Sequence, residues 1–223
     1  MKSFIFLLFC CFSVWGSTER VKEAQSDEKG TFAESLKKLK IPDSYKLDDI
    51  IIGNKRAPYT VIVYLSFSCH LCRKFFQEEL PKLQEKYINQ GRMKVILRSY
   101  LDDTASLEAA VLMRIFSKNS QQAVILHKKI FDVQKSWKDS PDPRKFLARI
   151  FAKTEKGQKA VSILLNPKNK TYKKTLAGLM KEQQRAMHKF RILSAPAFVI
   201  GNDIHHGILK CDEIAEKLGI KNP

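Results

Sequence analysis

One stretch of this chain decides what can be built around it. Tyr59 to Phe67 (Tyr-Thr-Val-Ile-Val-Tyr-Leu-Ser-Phe) is β-branched and aromatic, and apolar at positions that point both ways. It therefore reads as a strand covered on both faces, in the middle of a sheet. Cys69-His70-Leu71-Cys72 follows at once, and the apolar period then turns helical, with Phe75, Phe76, Leu80, Leu83 and Tyr87 on one stripe. A buried strand that runs into a helix across a C-x-x-C motif commits the chain to an α/β core.

The remaining elements fill in around that junction. Lys46 to Ile52 reads as a first strand, ended by Gly53-Asn54, and Met93 to Leu101 as a further apolar strand after the break at Gly91. From Asp103 to about Lys189 the pattern is helical throughout. Leu107, Val111, Leu112 and Ile115 form one stripe, and Ile125, Ile130 and Phe131 another. Phe146, Leu147, Ile150 and Phe151 form a third, and Leu176, Leu179 and Met180 lie on a fourth, with Pro141, Pro143 and Asn166-Pro167 between helices. Strands return at Ala197 to Ile200 and Ile204 to Leu209 around a Gly201-Asn202 hairpin turn, and Cys211 to Leu218 closes as a short helix. The expected organisation is a polar N-terminal segment over 17–45, a core in two parts over 46–102 and 190–223, and an all-helical insertion over 103–189. Within the N-terminal segment, Phe32, Leu36 and Leu39 recur at helical spacing before Pro42.

Met1-Lys2-Ser3 opens with a positive charge, Phe4 to Phe12 is unbroken and apolar, and Val14 and Gly16 are small. This is the pattern of a secretory signal peptide over residues 1–16, cut after Gly16; an uncleaved membrane anchor is the alternative. Cys10 and Cys11 leave with that segment, so the expected mature protein keeps Cys69, Cys72 and Cys211. Three cysteines, two of them spaced C-x-x-C, do not make a structural disulfide framework. The net charge of +17 comes from basic residues scattered among acidic ones, as at Lys128, Lys129 and Asp132. No basic run is interleaved with aromatics, so no nucleic-acid partner is expected.

The position of the motif gives it chemistry. Cys69 falls at a helix N-terminus, where unpaired N–H groups favour a thiolate, and Cys72 lies one turn on, within reach of a disulfide. His70, if protonated, adds positive charge beside the thiolate. A lowered thiolate pKa makes Cys69 a better leaving group and its disulfide a stronger oxidant. A structural disulfide closing so short a loop stabilises little. A metal site is disfavoured because no second C-x-x-C or H-x-x-H pair accompanies Cys69, Cys72 and His70. Pro196 stands at the mouth of a strand in Ser194-Ala195-Pro196-Ala197-Phe198-Val199-Ile200, either as a strand-initiating proline or as a cis proline that frees the Ala195 backbone for an extended substrate. Phe131 and Trp137 read as core, Cys211 as a buried structural cysteine, and His205 and His206 as surface residues on opposite faces of a strand.

These residues resemble the thioredoxin superfamily and, within it, the DsbA-like disulfide oxidoreductases. The resemblance runs through Ile51 to Pro58 into Cys69-His70-Leu71-Cys72, through Leu80-Pro81-Lys82-Leu83, Tyr87 and Gly91, through Phe131, Gln134 and Trp137, and through Ala195 to Gly201. It implies a thioredoxin fold with an inserted all-helical subdomain, exchange chemistry at Cys69 and Cys72, thiolate tuning by His70 and Leu71, and substrate binding at Ala195 and Pro196. It implies no bound cofactor. It also implies a periplasmic oxidase that acts on unfolded or reduced exported proteins and is reoxidised by a quinone-linked, DsbB-like membrane partner. Three departures stand out: His70-Leu71 replaces the family's frequent Pro-His, Ala195 its usual Val or Thr, and Val63 an acid six residues before the first cysteine. Proton handling for Cys72 then needs water or another group. The competing functions are a reductase or isomerase of the same fold, a copper- or zinc-handling module, and a redox-inactive chaperone.

Overall fold

A computed structural model describes residues 47–220, apart from 154–156, 160, 162, 164, 165 and 167. The expected signal peptide over 1–16, the segment over 17–45 and Lys46 lie outside the described residues, as does Pro167. Among the described residues the sheet has five strands in the order β1-β3-β2-β4-β5. These are β1 (Ile50–Ile52), β2 (Tyr59–Leu65), β3 (Met93–Ser99), β4 (Ala197–Ile200) and β5 (Asp203–His206). β2 and β3 run parallel, paired from Tyr59↔Met93 to Leu65↔Ser99, while β1, β4 and β5 add antiparallel.

The central position expected of β2 follows from its sequence. Val61, Val63 and Leu65 enter the main core, and Tyr64 enters a second cluster with Tyr100, Ala186, Ile192, Ala197 and Val199 on the other face. β3 alternates more plainly, with Met93, Val95, Leu97 and Ser99 buried and Lys94, Ile96 and Arg98 half-buried. Gly53 turns the chain after β1 at a φ of +100°. A Cβ there would lie 2.6 Å from Ile88 Cγ2, so glycine is needed for both backbone and space.

Among the described residues the helices with both ends defined are α1 (residues 70–88), α2 (Thr104–Phe116), α3 (Ser120–Asp132), α4 (Gln134–Lys138), α5 (Pro143–Phe151), α6 (Lys170–Lys189) and α7 (Cys211–Lys217). α1 is one continuous run in which α-helical turns alternate with π-helical turns at Phe75–Glu79 and Gln84–Ile88. Pro81, which lacks an N–H, sits between those two wide turns. Helices α2 to α6 all lie between β3 and β4 in sequence, which is the expected all-helical insertion in an α/β sheet.

The strand ends and one stripe differ from the sequence reading. β1 is an edge strand and pairs only over Ile50–Ile52, opposite Leu97, Ile96 and Val95. β2 stops at Leu65, because Ser66, Phe67 and Ser68 turn back to form the loop into α1. β5 stops at His206, because Gly207 takes a φ of +86° and sends its N–H to the Pro196 carbonyl at 2.9 Å. On α3 the buried side is Ala123, His127, Ile130 and Phe131, while Ile125 is exposed. A histidine counted as polar hid that stripe. The His127 ring packs against Phe67 at 4.8 Å and Phe76 at 5.7 Å, and it ties the insertion to the core through aromatic contacts.

Candidate active site

The loop after β2 delivers Cys69 as the N-cap of α1. Its backbone is extended (φ −84°, ψ 123°), and its sulfur accepts the Cys72 N–H at 3.3 Å, as a capping side chain does. Cys69 is half-buried, whereas Cys72 is fully buried in the main core. The Cys72 sulfur accepts the Ser66 N–H at 3.4 Å. One thiol therefore faces outward and the other is closed in behind it.

The two sulfurs are driven apart in acidity. The hydrogen bond from the Cys72 thiol is the largest cause that lowers Cys69, to about 7; burial opposes it, and the N–H groups of Cys72 and Leu71 help. Burial pushes the Cys72 thiol well up, and the hydrogen bond it gives to Cys69 pushes the same way. His70 sits exposed on the first turn, and among the described contacts no hydrogen bond joins its ring to Cys69. Leu71 acts through its backbone N–H rather than its side chain.

The segment before β4 forms the opposite wall. The Ala195–Pro196 bond is cis, and the Cys69 thiol donates to the Ala195 carbonyl at 3.3 Å across 126 positions of sequence. Sequence spacing had separated these residues; the fold brings Ala195 and Pro196 against Cys69. Beside them Leu193 is 72% exposed, the most exposed large apolar side chain described.

Five further hydrogen bonds hold the loop, and the sequence reading assigned none of them. Gln134 Nε2 donates to the carbonyls of Phe67 and Cys69 at 2.7 and 2.9 Å, and Lys138 Nζ donates to the Ser68 carbonyl at 2.8 Å. Ser66 and Ser68 hydroxyls donate to Asp102 and Asp103, at 2.5 and 2.7 Å. Parallel pairing explains the last two: Leu65 lies opposite Ser99, so the residues after β2 and β3 leave the sheet side by side. That register could have predicted the serine–aspartate pairs had the strand pairing been known.

Of the remaining residues, Phe131 and Trp137 are fully buried, and the Trp137 indole donates to the Ile130 carbonyl at 3.2 Å. Cys211 is buried, and its N–H donates to Glu79 Oε2 at 2.9 Å. Among the described residues no group of three His, Cys, Asp or Glu side chains is placed to hold a metal ion. No helix among them is long and apolar enough to cross a membrane.

The chain as a whole is similar to known proteins. A family model described as Thioredoxin matches residues 46–218. A curated relative, a putative protein-disulfide oxidoreductase of Rickettsia conorii, is 28% identical over 132 residues, which is 56% of this chain and 47% of that protein. The chain thus spans about half the length of the curated relatives it matches first. Among solved structures, α-DsbA1 of Wolbachia pipientis aligns with a TM-score of 0.66 at 26% identity, over 82% of this chain and 92% of that one. BdbD of Bacillus subtilis shares the fold, with a TM-score of 0.60 at 19% identity over 80% and 94% of the two chains. The chain belongs to the thioredoxin family, in the DsbA-like form that carries a helical insertion.

Proposed function

We propose that the protein is a thiol–disulfide oxidoreductase that acts as an oxidase, introducing disulfides into exported proteins by exchange through Cys69. The observation that carries this reading is the split between the two thiols: Cys69 is half-exposed and lowered to about 7, while Cys72 is buried and raised. A stabilised Cys69 thiolate favours the reduced enzyme, and so makes the Cys69–Cys72 disulfide ready to give up its oxidation to a client.

In the exchange, a client thiolate attacks the Cys69 sulfur. A bond forms between those two sulfurs, the Cys69–Cys72 bond breaks, and its electron pair passes to Cys72. A second client thiolate then attacks the client sulfur of the mixed disulfide, and Cys69 leaves as a thiolate. The client gains a disulfide and the enzyme gains both electrons. Ala195 and Pro196 line the approach to Cys69, and Leu193 offers apolar surface to an unfolded chain. A membrane redox partner of the DsbB kind returns the enzyme to its oxidised form, and the apolar stretch from Phe4 to Phe12 directs export to the periplasm.

The names of the relatives, putative protein-disulfide oxidoreductases and DsbA proteins, support this reading over metal handling. The test is single turnover with a reduced dithiol peptide. The oxidised protein should convert it to the disulfide, and Cys69→Ser should not. Cys72→Ser, given an oxidised client, should accumulate a mixed disulfide through Cys69. Full client oxidation by Cys69→Ser would contradict the assignment.

A further inference from the structure

Lys138 ends α4 with an exposed side chain whose ammonium reaches the active-site loop. Its Nζ donates to the Ser68 carbonyl at 2.8 Å, one residue before Cys69 and across 70 positions of sequence. Gln134, one turn earlier on the same helix, donates to the Cys69 carbonyl at 2.9 Å, so α4 lies directly against the loop. An ammonium carries three donors, and a carbonyl engages one of them without neutralising the charge.

Four other lysines are used differently. Lys82, Lys86, Lys128 and Lys145 meet the carboxylates of Glu79, Asp212, Asp132 and Asp142 at 2.7 to 3.3 Å. Among the described residues no carboxylate pairs with Lys138. The two acids bound to the loop are engaged from within: Asp102 accepts the Ser66 hydroxyl, while Asp103 accepts the Ser68 hydroxyl and caps α2. The chief influences on Cys69 are hydrogen bonds from Cys72 and Leu71, burial and the Asp102 charge, with no ammonium among them. Lys138 is thus a fixed cation beside the reactive sulfur that neither the fold nor the resting thiol uses up. Exposed side chains nearby are basic too. His70 follows Cys69, Arg191 stands four residues before Ala195, and His206 Nδ1 meets the Ser194 hydroxyl at 3.2 Å.

We propose that Lys138 is a specificity-determining residue, which binds an acidic side chain next to the reacting cysteine of the client. This rests on the reading of Cys69 as the exchange centre. The Ser68 carbonyl holds the ammonium in place before the client arrives, so little side-chain freedom is lost on binding. The remaining donors are open to a carboxylate on the client. Such a pair is exposed to water, so its effect is modest and weakens with salt.

The test compares two reagents that alkylate the reduced protein at Cys69, the thiolate displacing iodide from each. Iodoacetate carries a carboxylate and iodoacetamide is neutral. Both need the thiolate, so any change in the acidity of Cys69 cancels in the ratio of their rates. Lys138→Gln keeps an N–H donor and removes the charge, and should lower the iodoacetate-to-iodoacetamide ratio about threefold at low salt. Lys138→Arg should keep the wild-type ratio. Lys173→Gln controls for the net charge of +17. It lies near the start of α6, about 24 Å of helix from Lys189 at the end that leads to Ala195. An unchanged ratio in Lys138→Gln, or an equal fall in Lys173→Gln, would overturn the proposal.

Two reduced dithiol peptides that differ only by Glu or Gln beside the attacking cysteine carry the test to the reaction. Their rates are taken relative to those with bis(2-hydroxyethyl) disulfide, a small neutral oxidant. On that scale the oxidised wild-type protein should favour the Glu peptide about threefold, and Lys138→Gln should lose the preference. No preference in the wild type would overturn the proposal. Oxidation of neither peptide would sink the oxidase reading, while the alkylation ratio still decides the role of Lys138.

Discussion

The Gln134 side-chain amide donates to the Cys69 carbonyl at 2.9 Å, across 65 positions of sequence. The same nitrogen donates to the Phe67 carbonyl at 2.7 Å. Cys69 is thus held from the helical insertion as well as from its own strand and helix, so the insertion takes part in the site.

Gln134→Leu keeps most of the buried volume and removes both donors. The Cys69 carbonyl retains the Arg73 N–H at 3.2 Å, whereas the Phe67 carbonyl is left without this donor. A loss of about 1–3 kcal/mol is expected in urea unfolding, with faster alkylation of Cys72 as the loop loosens. Unchanged stability with unchanged Cys72 protection would show that the clamp is idle.

Cys69 should react with iodoacetamide along a curve whose midpoint lies near pH 7, the thiolate fraction rising with pH. Cys72→Ala removes the thiol that donates to it, the largest cause of the lowering, so the midpoint should move up toward 9.0. A midpoint still near 7 in that variant would assign the lowering to the backbone N–H groups of Leu71 and Cys72 instead.

His127 should make the fold sensitive to acid. Burial pushes it down to about 4 from 6.5, so the unfolded chain binds a proton that the fold refuses between those values. Stability contributed by the neutral ring is complete above 6.5 and is lost as pH falls from 6.5 toward 4, by about 3 kcal/mol. His127→Phe should flatten that part of the pH profile of thermal unfolding. An unaltered acid slope in the variant would place the sensitivity elsewhere.

Asp103 does two jobs: it caps α2 through the Ser106 N–H at 2.6 Å and accepts the Ser68 hydroxyl at 2.7 Å. Asp103→Ala should cost about 1–2 kcal/mol, and Asp103→Asn, which keeps an acceptor oxygen, markedly less. Equal losses in calorimetry would mean that charge, not capping, is what the position needs.

Much of this architecture is legible in the residues themselves. β2 announces itself by apolar residues facing both ways, and Cys69 by standing where that pattern turns helical. The cis bond at Pro196 falls in a segment singled out by a proline at a strand mouth. What the sequence conceals is what depends on pairing across long separations. The Ser66–Asp102 and Ser68–Asp103 contacts exist because β2 and β3 are parallel and in register, which no local pattern encodes. His127 was hidden for a different reason: a titratable ring can be core when its Nδ1 meets the Ala123 carbonyl at 2.8 Å and its faces meet phenylalanines. Strand ends were misjudged where apolar residues continue past the last ladder bond, as at Phe67.

The equilibrium of the Cys69–Cys72 pair with glutathione tests the central claim most directly. The oxidase reading predicts a strongly oxidising pair, with a potential near the roughly −120 mV of a dedicated oxidant. A value near the roughly −270 mV of thioredoxin would contradict the oxidase and make the protein a reductase or isomerase kept reduced by its partner.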